Sequence, residues 1–148
     1  MAPSRSELRV LLPETSIDLD ATATSRDDAI RQVGALLVSA GSVDSGYVDQ
    51  MLDRERTVST FVGDGVAMPH GTLAARNDVL VEGLALLRLA NPIAWGDQQV
   101  AIVIGIAAHG RRYITLLSQL ASALLEEGRA ESLRTATTVD EVYQLLAS

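Results

Sequence analysis

The sequence predicts an α/β fold in which a central mixed β-sheet is flanked by helices on both sides. Residues 100–107 are a nearly continuous apolar run, which is typical of a strand covered on both faces. Other segments carry apolar residues at helical spacing, and strands and helices alternate without a linker or an internal repeat. A chain of 148 residues that is 47% hydrophobic is long enough to build one core. We therefore expect a single domain over residues 1–148.

Two helices are predicted in the N-terminal half. The first begins after Ser25, whose side chain can cap a helix N-terminus, and ends before Gly41. Its apolar residues are Ala29, Ile30, Val33, Leu36, Leu37 and Ala40. The second runs from about Ser45 to Glu55, with Tyr47, Val48, Met51 and Leu52 facing inward. Arg54 therefore lies near the C-terminal end of the second helix.

The C-terminal half is predicted to contain two strands and two helices. The strands cover residues 79–89 and 100–107. One helix covers residues 113–125, because its apolar residues share a face. Thr138 and Glu141 form a capping-box pattern that predicts the start of the last helix.

Composition argues against several classes of partner and location. The formal net charge is −7, all 12 basic residues are arginine and aromatic residues make up 3%, so we expect no nucleic-acid partner. The sequence has no cysteine, which favours a cytoplasmic location over an oxidising compartment. No apolar stretch reaches the roughly 18 to 20 residues of a membrane span, and residues 1–9 lack a signal-peptide core. The protein is therefore expected not to be embedded in a membrane.

The segment from Gly63 to Thr72 presents one of the two histidines between a proline and a glycine. Pro69 fixes its own φ, and Gly71 allows the backbone to leave His70 at an angle that other residues resist. We expect the imidazole to lie at a strand end and face a cleft. A neutral imidazole held there can act as a base, a metal ligand or a nucleophile.

Residues 47–55, 66–72, 104–108 and 137–142 carry a family pattern. They resemble the enzyme IIA domains of the bacterial phosphoenolpyruvate-dependent sugar phosphotransferase system, in the mannitol and fructose class. Residues 47–55 are similar to the arginine-bearing helix of the class, and residues 66–72 are similar to its phosphohistidine loop. Residues 104–108 and 137–142 resemble its last core strand and its final helix. The resemblance runs from Ala29 to the C-terminus and is greatest to the mannitol branch, while fructose-type and nitrogen-regulatory relatives share the Pro-His-Gly core.

The resemblance implies that His70 accepts a phosphoryl group from the phosphocarrier protein HPr and passes it to a cysteine of enzyme IIB. Arg54 matches the active-site arginine of the family, and a guanidinium can hold two phosphoryl oxygens at once. Asp64 falls where the family has a carboxylate, although a simple turn residue is an equally good interpretation. Gly71 and Thr72 are expected to offer a backbone N–H and a hydroxyl to the phosphoryl oxygens. The acceptor cysteine is expected on another polypeptide, and no cofactor or metal is expected.

One position departs from the family pattern. The second active-site histidine of the family falls at Tyr113, and His109 lies four residues earlier. Either His109 reaches into the site, helped by the flexible Gly110, or Tyr113 supplies a neutral phenolic donor at the old position. The second arrangement is slightly favoured. Arg111 and Arg112 add positive charge at the same rim.

The histidine segment and the family resemblance leave three classes of function to compare. The first is a phosphoryl carrier that supports uptake of mannitol or a fructose-like sugar, and the second is a regulatory module of the nitrogen-branch type that uses phosphorylation of His70 as a signal. A metal hydrolase is disfavoured, because the sequence has no His-Glu-x-x-His spacing. For the carrier, Met68, Phe61 and Val62 are expected to form an apolar rim that contacts the partners.

Overall fold

A mixed five-stranded sheet forms the centre of the protein. The computed structural model describes residues 3–72 and 78–147. The strands are β1 (Ile17–Ala21), β2 (Phe61–Gly63), β3 (Val66–Ala67), β4 (Gly83–Trp95) and β5 (Gln98–Ala107), in the spatial order β1-β4-β5-β3-β2. β1 is parallel to β4 and β3 is parallel to β5, whereas β4–β5 and β2–β3 are antiparallel. The predicted mixed sheet is therefore confirmed.

Helices cover both faces of this sheet, as predicted. They are α1 (Arg5–Leu11), α2 (Arg26–Ser39), α3 (Gly46–Thr57), α4 (Arg112–Leu124), α5 (Arg129–Thr135) and α6 (Val139–Leu146), and a short 3₁₀ turn spans Glu14–Ser16. Residues of α1, α4, α5 and α6 form one apolar cluster with the sheet, while α2 and α3 form the other. The sheet is thus the middle layer of three.

The two central strands supply residues alternately to the two clusters. In β4, Leu84 and Leu86 belong to the first cluster, whereas Ala85 and Leu87 belong to the second. Side chains in a strand point alternately to opposite faces, so a strand that is buried on both faces must be apolar at nearly every position. This explains the continuous apolar run that identified β5 in the sequence.

Capping residues fix the starts of two predicted helices. The Ser25 hydroxyl accepts a hydrogen bond from the N–H of Asp28 at 3.1 Å, so α2 begins directly after it. The Thr138 hydroxyl accepts from the N–H of Glu141 at 3.2 Å and begins α6. The Glu141 carboxylate accepts from that same hydroxyl at 3.3 Å, so the reciprocal bond of a capping box goes to a side chain here.

The strand predicted over residues 79–89 lies further along the chain than expected. β4 begins at Gly83, because Leu80 and Val81 donate both of their backbone N–H groups to the Ser42 carbonyl and make a turn there. β4 continues to Trp95 across a register shift after Arg88. The prediction also missed β1, α1 and α5, which span only five to seven residues and hold too few repeats for a periodicity signal.

Arg88 on β4 connects three elements of the fold. Its Nε donates to the Leu19 carbonyl of β1 at 3.0 Å. Its Nη1 donates to three carbonyls at the C-terminal end of α5, those of Leu133, Arg134 and Ala136. The last carbonyls of a helix have no partner within the helix, and the helix dipole favours a cation beside them. Arg88 therefore fixes α5 to the sheet.

We predict that Arg88→Leu lowers the free energy of unfolding by about 2–4 kcal/mol, because several half-buried carbonyls lose a charged donor together. Urea denaturation of the two proteins measures the difference. Arg31→Ala on the exposed face of α2 is the control, and its effect should stay within about 0.5 kcal/mol. Equal losses in the two variants would contradict the role given to Arg88.

Candidate functional site

His70 lies just beyond β3, where the chain still runs beside β5. It forms an isolated parallel bridge with Ile106, and the Ile106 N–H donates to the Pro69 carbonyl at 2.9 Å. The position at a strand end agrees with the sequence prediction. The side chain, however, is not presented to solvent, because His70 is only 3% exposed.

The two ring nitrogens of His70 have different surroundings. Nδ1 lies 3.0 Å from the Met68 carbonyl oxygen. Since a carbonyl can only accept a hydrogen bond, Nδ1 carries the proton. Nε2 then holds the lone pair, and this buried atom has no hydrogen-bond partner among residues 3–72 and 78–147. Nε2 is therefore the nucleophilic nitrogen of the ring.

Burial keeps this imidazole neutral. It lowers the pKa of His70 below its ordinary value of 6.5, and the positive charge of Arg54 lowers the pKa further. The hydrogen bond to the Met68 carbonyl and the charge of Glu55 act in the opposite direction but do not prevail. At neutral pH the Nε2 lone pair is consequently available.

Tyr113 is the aromatic residue that covers the histidine. Its ring stacks on that of His70, with a centroid distance of 4.7 Å and an interplanar angle of 23°. His109 is exposed, and its backbone N–H donates to a carboxylate oxygen of Glu82 at 3.2 Å. Of the two alternatives left open by the sequence, the contact described in the structure is the one made by Tyr113.

Arg54 is placed near the histidine by the last turn of α3. It is half-buried, and its Nη1 donates to the Val58 carbonyl at 2.6 Å, which fixes the direction of the guanidinium. The positive charge of Arg54 contributes to the lowered pKa of His70. Arg56 instead forms a surface ion pair with Asp53 at 2.9 Å.

The structure does not place Asp64, a predicted site residue, beside His70. Asp64 lies in the turn between β2 and β3 with a φ of +48°, and the next carbonyl, that of Gly65, accepts from the N–H of Ala101 at 2.9 Å. Gly65 is thus level with Ala101 of β5, whereas His70 is level with Ile106, five residues further along that strand. At the rise of an extended strand, these two levels are about 16 Å apart. Asp64 is therefore the turn residue of the alternative interpretation.

Gly71 and Thr72 were expected to offer hydrogen-bond donors to a phosphoryl group, but α3 already holds both of these donors. The Gly71 N–H donates to the hydroxyl of Tyr47 at 2.8 Å. The Thr72 hydroxyl donates to the side-chain oxygen of Gln50 at 2.9 Å. These two residues therefore attach the histidine loop to α3.

The sequence did not predict the roles of two buried polar residues of α3. Tyr47 was expected only as an inward-facing residue and not as a hydrogen-bonding group, and no role was expected for Glu55. Glu55 is 3% exposed and accepts from the Thr60 N–H at 2.8 Å and from the Trp95 indole N–H at 3.1 Å, as well as from the Thr60 hydroxyl. The available signal was spacing, since Tyr47, Met51 and Glu55 follow one another every four residues and share the inward face of the helix.

The apolar rim was expected from Met68, Phe61 and Val62, and its Met68 part is wrong. Met68 is fully buried in the core, and the other two residues are partly buried against opposite clusters. Large apolar side chains exposed near this end of the sheet are those of Leu80, Val81 and Ile114.

Within residues 3–72 and 78–147, no group of three or more histidine, cysteine or acidic side chains is arranged to hold a metal ion. Across the same residues, the helices are too short or too polar to cross a membrane.

The sequence matches known families and proteins over most of its length. The family model "Phosphoenolpyruvate-dependent sugar phosphotransferase system, EIIA 2" matches residues 10–148. The mannitol-specific phosphotransferase enzyme IIA component of Halalkalibacterium halodurans is 37% identical over 138 residues, which cover 93% of this chain and 95% of that protein. The multiphosphoryl transfer protein of Escherichia coli O157:H7 is 47% identical over 125 residues, which cover 84% of this chain. The match covers only 33% of the length of that relative.

A solved structure shares the fold. In the complex of enzyme IIAMTL and phosphorylated enzyme IIBMTL from Escherichia coli, the matching chain superposes with a TM-score of 0.87 at 36% identity, covering 93% of this chain and 99% of the other.

The depressed pKa of His70 predicts a pH dependence of stability. The unfolded chain takes up a proton near pH 6.5 and the folded chain does so at lower pH, so folding stability falls as the pH drops below about 6.5. We expect His70→Gln to lose this part of the dependence, measured as the difference in free energy of unfolding between pH 7.5 and pH 5.5. His109→Gln is the matched control at an exposed histidine and should keep the wild-type dependence. If both variants keep the wild-type pH dependence, then His70 is not the group responsible, and the claim that folding holds it in the neutral form is refuted.

Proposed function

Because this chain belongs to the EIIA 2 family of the phosphoenolpyruvate-dependent sugar phosphotransferase system, we propose that it carries a phosphoryl group on Nε2 of His70. The observation that supports this most strongly is the hydrogen bond between Nδ1–H and the Met68 carbonyl. It fixes the tautomer and directs the lone pair to the other nitrogen. Enzyme IIA proteins of this system are phosphotransferase components. In this proposal the protein holds the phosphoryl group covalently on His70 between donor and acceptor.

Loading exchanges one bond to phosphorus for another. The Nε2 lone pair attacks the phosphorus atom of the donor, a P–N bond forms, and the bond between phosphorus and the donor breaks with its electron pair leaving on the donor. The proton on Nδ1 stays in place throughout. The positive charge that develops on the imidazole is stabilised by the Met68 carbonyl, which already accepts from Nδ1–H. Unloading onto an acceptor is the reverse exchange.

Arg54 is proposed to balance the charge of the phosphoryl oxygens. Its Nη1 is held by the Val58 carbonyl, and its Nε and Nη2 make no hydrogen bond with residues 3–72 and 78–147. A planar guanidinium can use such donors on two phosphoryl oxygens together. Phosphoryl transfer depends mainly on the positioning of the reacting groups and on the neutralisation of charge. Arg54 is proposed to contribute to both by binding the phosphoryl oxygens.

Tyr113 is proposed to cover the unloaded histidine and to donate to the loaded one. Nε2 has almost no accessible surface, so a phosphoryl group reaches it only when neighbouring side chains move. The Tyr113 ring is in direct contact, and it lies in the first turn of α4, where the N-cap residue Arg111 makes no side-chain capping bond. A helix end without a cap is held less firmly than one with a cap.

The proposed partners are HPr as phosphoryl donor and a cysteine of enzyme IIB as acceptor. The solved structure with a phosphorylated enzyme IIB supports enzyme IIB as the partner, and this chain contains no cysteine of its own. We propose that residues 1–148 form one enzyme IIA type-2 domain, that it works in the cytoplasm, and that it supports uptake of mannitol or a fructose-like sugar. The names of relatives at 36% and 37% identity support mannitol.

Incubation with phosphoenolpyruvate, enzyme I and HPr tests the carrier function. Intact-mass analysis should show the addition of one phosphoryl group to the wild type, none to His70→Ala, and wild-type loading of the control His109→Ala. Addition of enzyme IIB should then remove the group. Retention of the group together with a changed affinity for another protein would favour a regulatory module. An unchanged mass, under conditions that load a control enzyme IIA, would refute the proposal.

A second experiment assigns the residue that assists His70. Tyr113→Phe should slow loading about tenfold, which corresponds to one lost neutral hydrogen bond, whereas His109→Ala should stay within about twofold of the wild type. Rapid quenching of the reaction with phosphorylated HPr measures both rates. A slower His109→Ala would reverse the assignment, and wild-type rates in both variants would remove both residues from the mechanism.

A further inference from the structure

The hydroxyl of Tyr47 lies where α3, the histidine loop and β5 meet. It accepts a hydrogen bond from the Gly71 N–H at 2.8 Å and donates one to the Ile106 carbonyl at 2.8 Å. On the other side of the histidine, the Ile106 N–H donates to the Pro69 carbonyl at 2.9 Å. The residues before and after His70 are thus both attached to Ile106, directly through Pro69 and through the phenol at Gly71.

We propose that Tyr47 is a positioning residue for phosphoryl transfer, which sets the direction of the His70 ring by attaching its loop to Ile106 and to α3. This proposal rests on the phosphoryl-carrier function proposed above. Tyr47 makes no hydrogen bond to Nε2 of His70, which has no partner within the described residues. It acts through the backbone on either side of the histidine.

The fit between Tyr47 and Gly71 leaves the loop little room to move. A Cβ atom added at Gly71 would lie 2.5 Å from Cε1 and 2.8 Å from Cζ of the tyrosine ring, so the ring packs directly on the glycine backbone. Tyr47 itself is only 3% exposed. Burial raises its pKa to about 12, so the hydroxyl keeps its proton and remains a donor to Ile106 across the physiological range.

The same helix also carries the residue proposed to bind the phosphoryl oxygens. Arg54 lies seven residues after Tyr47 on α3, about two helical turns away. Attaching the histidine loop to α3 therefore fixes the distance between the nucleophile and the guanidinium. A second attachment, from the Thr72 hydroxyl to Gln50, lies between them on the helix. A misplacement of about 1 Å between reacting groups can slow a reaction roughly a hundredfold.

The test compares Tyr47→Phe with Tyr143→Phe. Both residues are buried tyrosines whose hydroxyls donate to backbone carbonyls, but Tyr143 donates to Leu12 in the cluster on the other face of the sheet. Tyr47→Phe should lower the maximal rate of loading by roughly tenfold to a hundredfold, with the KM for phosphorylated HPr within about twofold. Tyr143→Phe should leave both values within about twofold while lowering the melting temperature. Equal rates in the two variants would overturn the proposal.

A measurement on the unloaded protein separates this proposal from the carrier function. ¹⁵N NMR of the imidazole should show the Nδ1–H form of His70 in the wild type and in Tyr143→Phe. In Tyr47→Phe the shifts of the two ring nitrogens should move toward each other, as the loop loosens and both tautomers are populated. A change of tautomer in a protein that HPr does not load would refute the carrier function alone. Unchanged shifts in Tyr47→Phe would refute the positioning role.

Discussion

The pairing of β3 with β5 is the constraint on which the site depends. From Val100 to Ala107, β5 is apolar and both of its faces are covered, so this part of the strand is a rigid central element of the sheet. β3 is only two residues long, but its pairing continues through Pro69 and the bridge at His70. The histidine therefore lies on a fixed part of the fold rather than on a free loop. The strand pairing determines where its ring is located.

The environment of the imidazole follows from this placement. Burial disfavours the imidazolium and lowers the pKa, and the Met68 carbonyl two residues earlier selects the tautomer. The protein has a net charge of −7, yet Arg54 provides positive charge beside the histidine. A neutral nucleophile next to a fixed guanidinium suits the proposed transfer, which requires a lone pair in the unloaded state and balancing charge in the loaded state.

The polar contacts of α3 connect the two halves of the site. Tyr47 and Gln50 hold the histidine loop, Arg54 lowers the pKa of His70 through its charge, and Glu55 binds Thr60 and Trp95. Burying polar groups is unfavourable unless each finds a partner, and Tyr47, Gln50 and Glu55 each have one within the described residues. The interior of this region is therefore a hydrogen-bonded network that joins one helix to β4, β5, Thr60 and the histidine loop.

The sequence alone determined the layered fold, the helices α2, α3, α4 and α6, the strand β5 and the prominence of His70, because periodicity, capping residues and the Pro-His-Gly turn are local properties. The tertiary structure decided which groups meet. It placed Asp64 at the far end of β3, engaged Gly71 and Thr72 with α3, stacked Tyr113 on the histidine, and made Tyr47 a hydrogen-bonding residue. Such contacts join residues far apart in the chain, and their distances depend on strand register and helix packing, which no local pattern encodes.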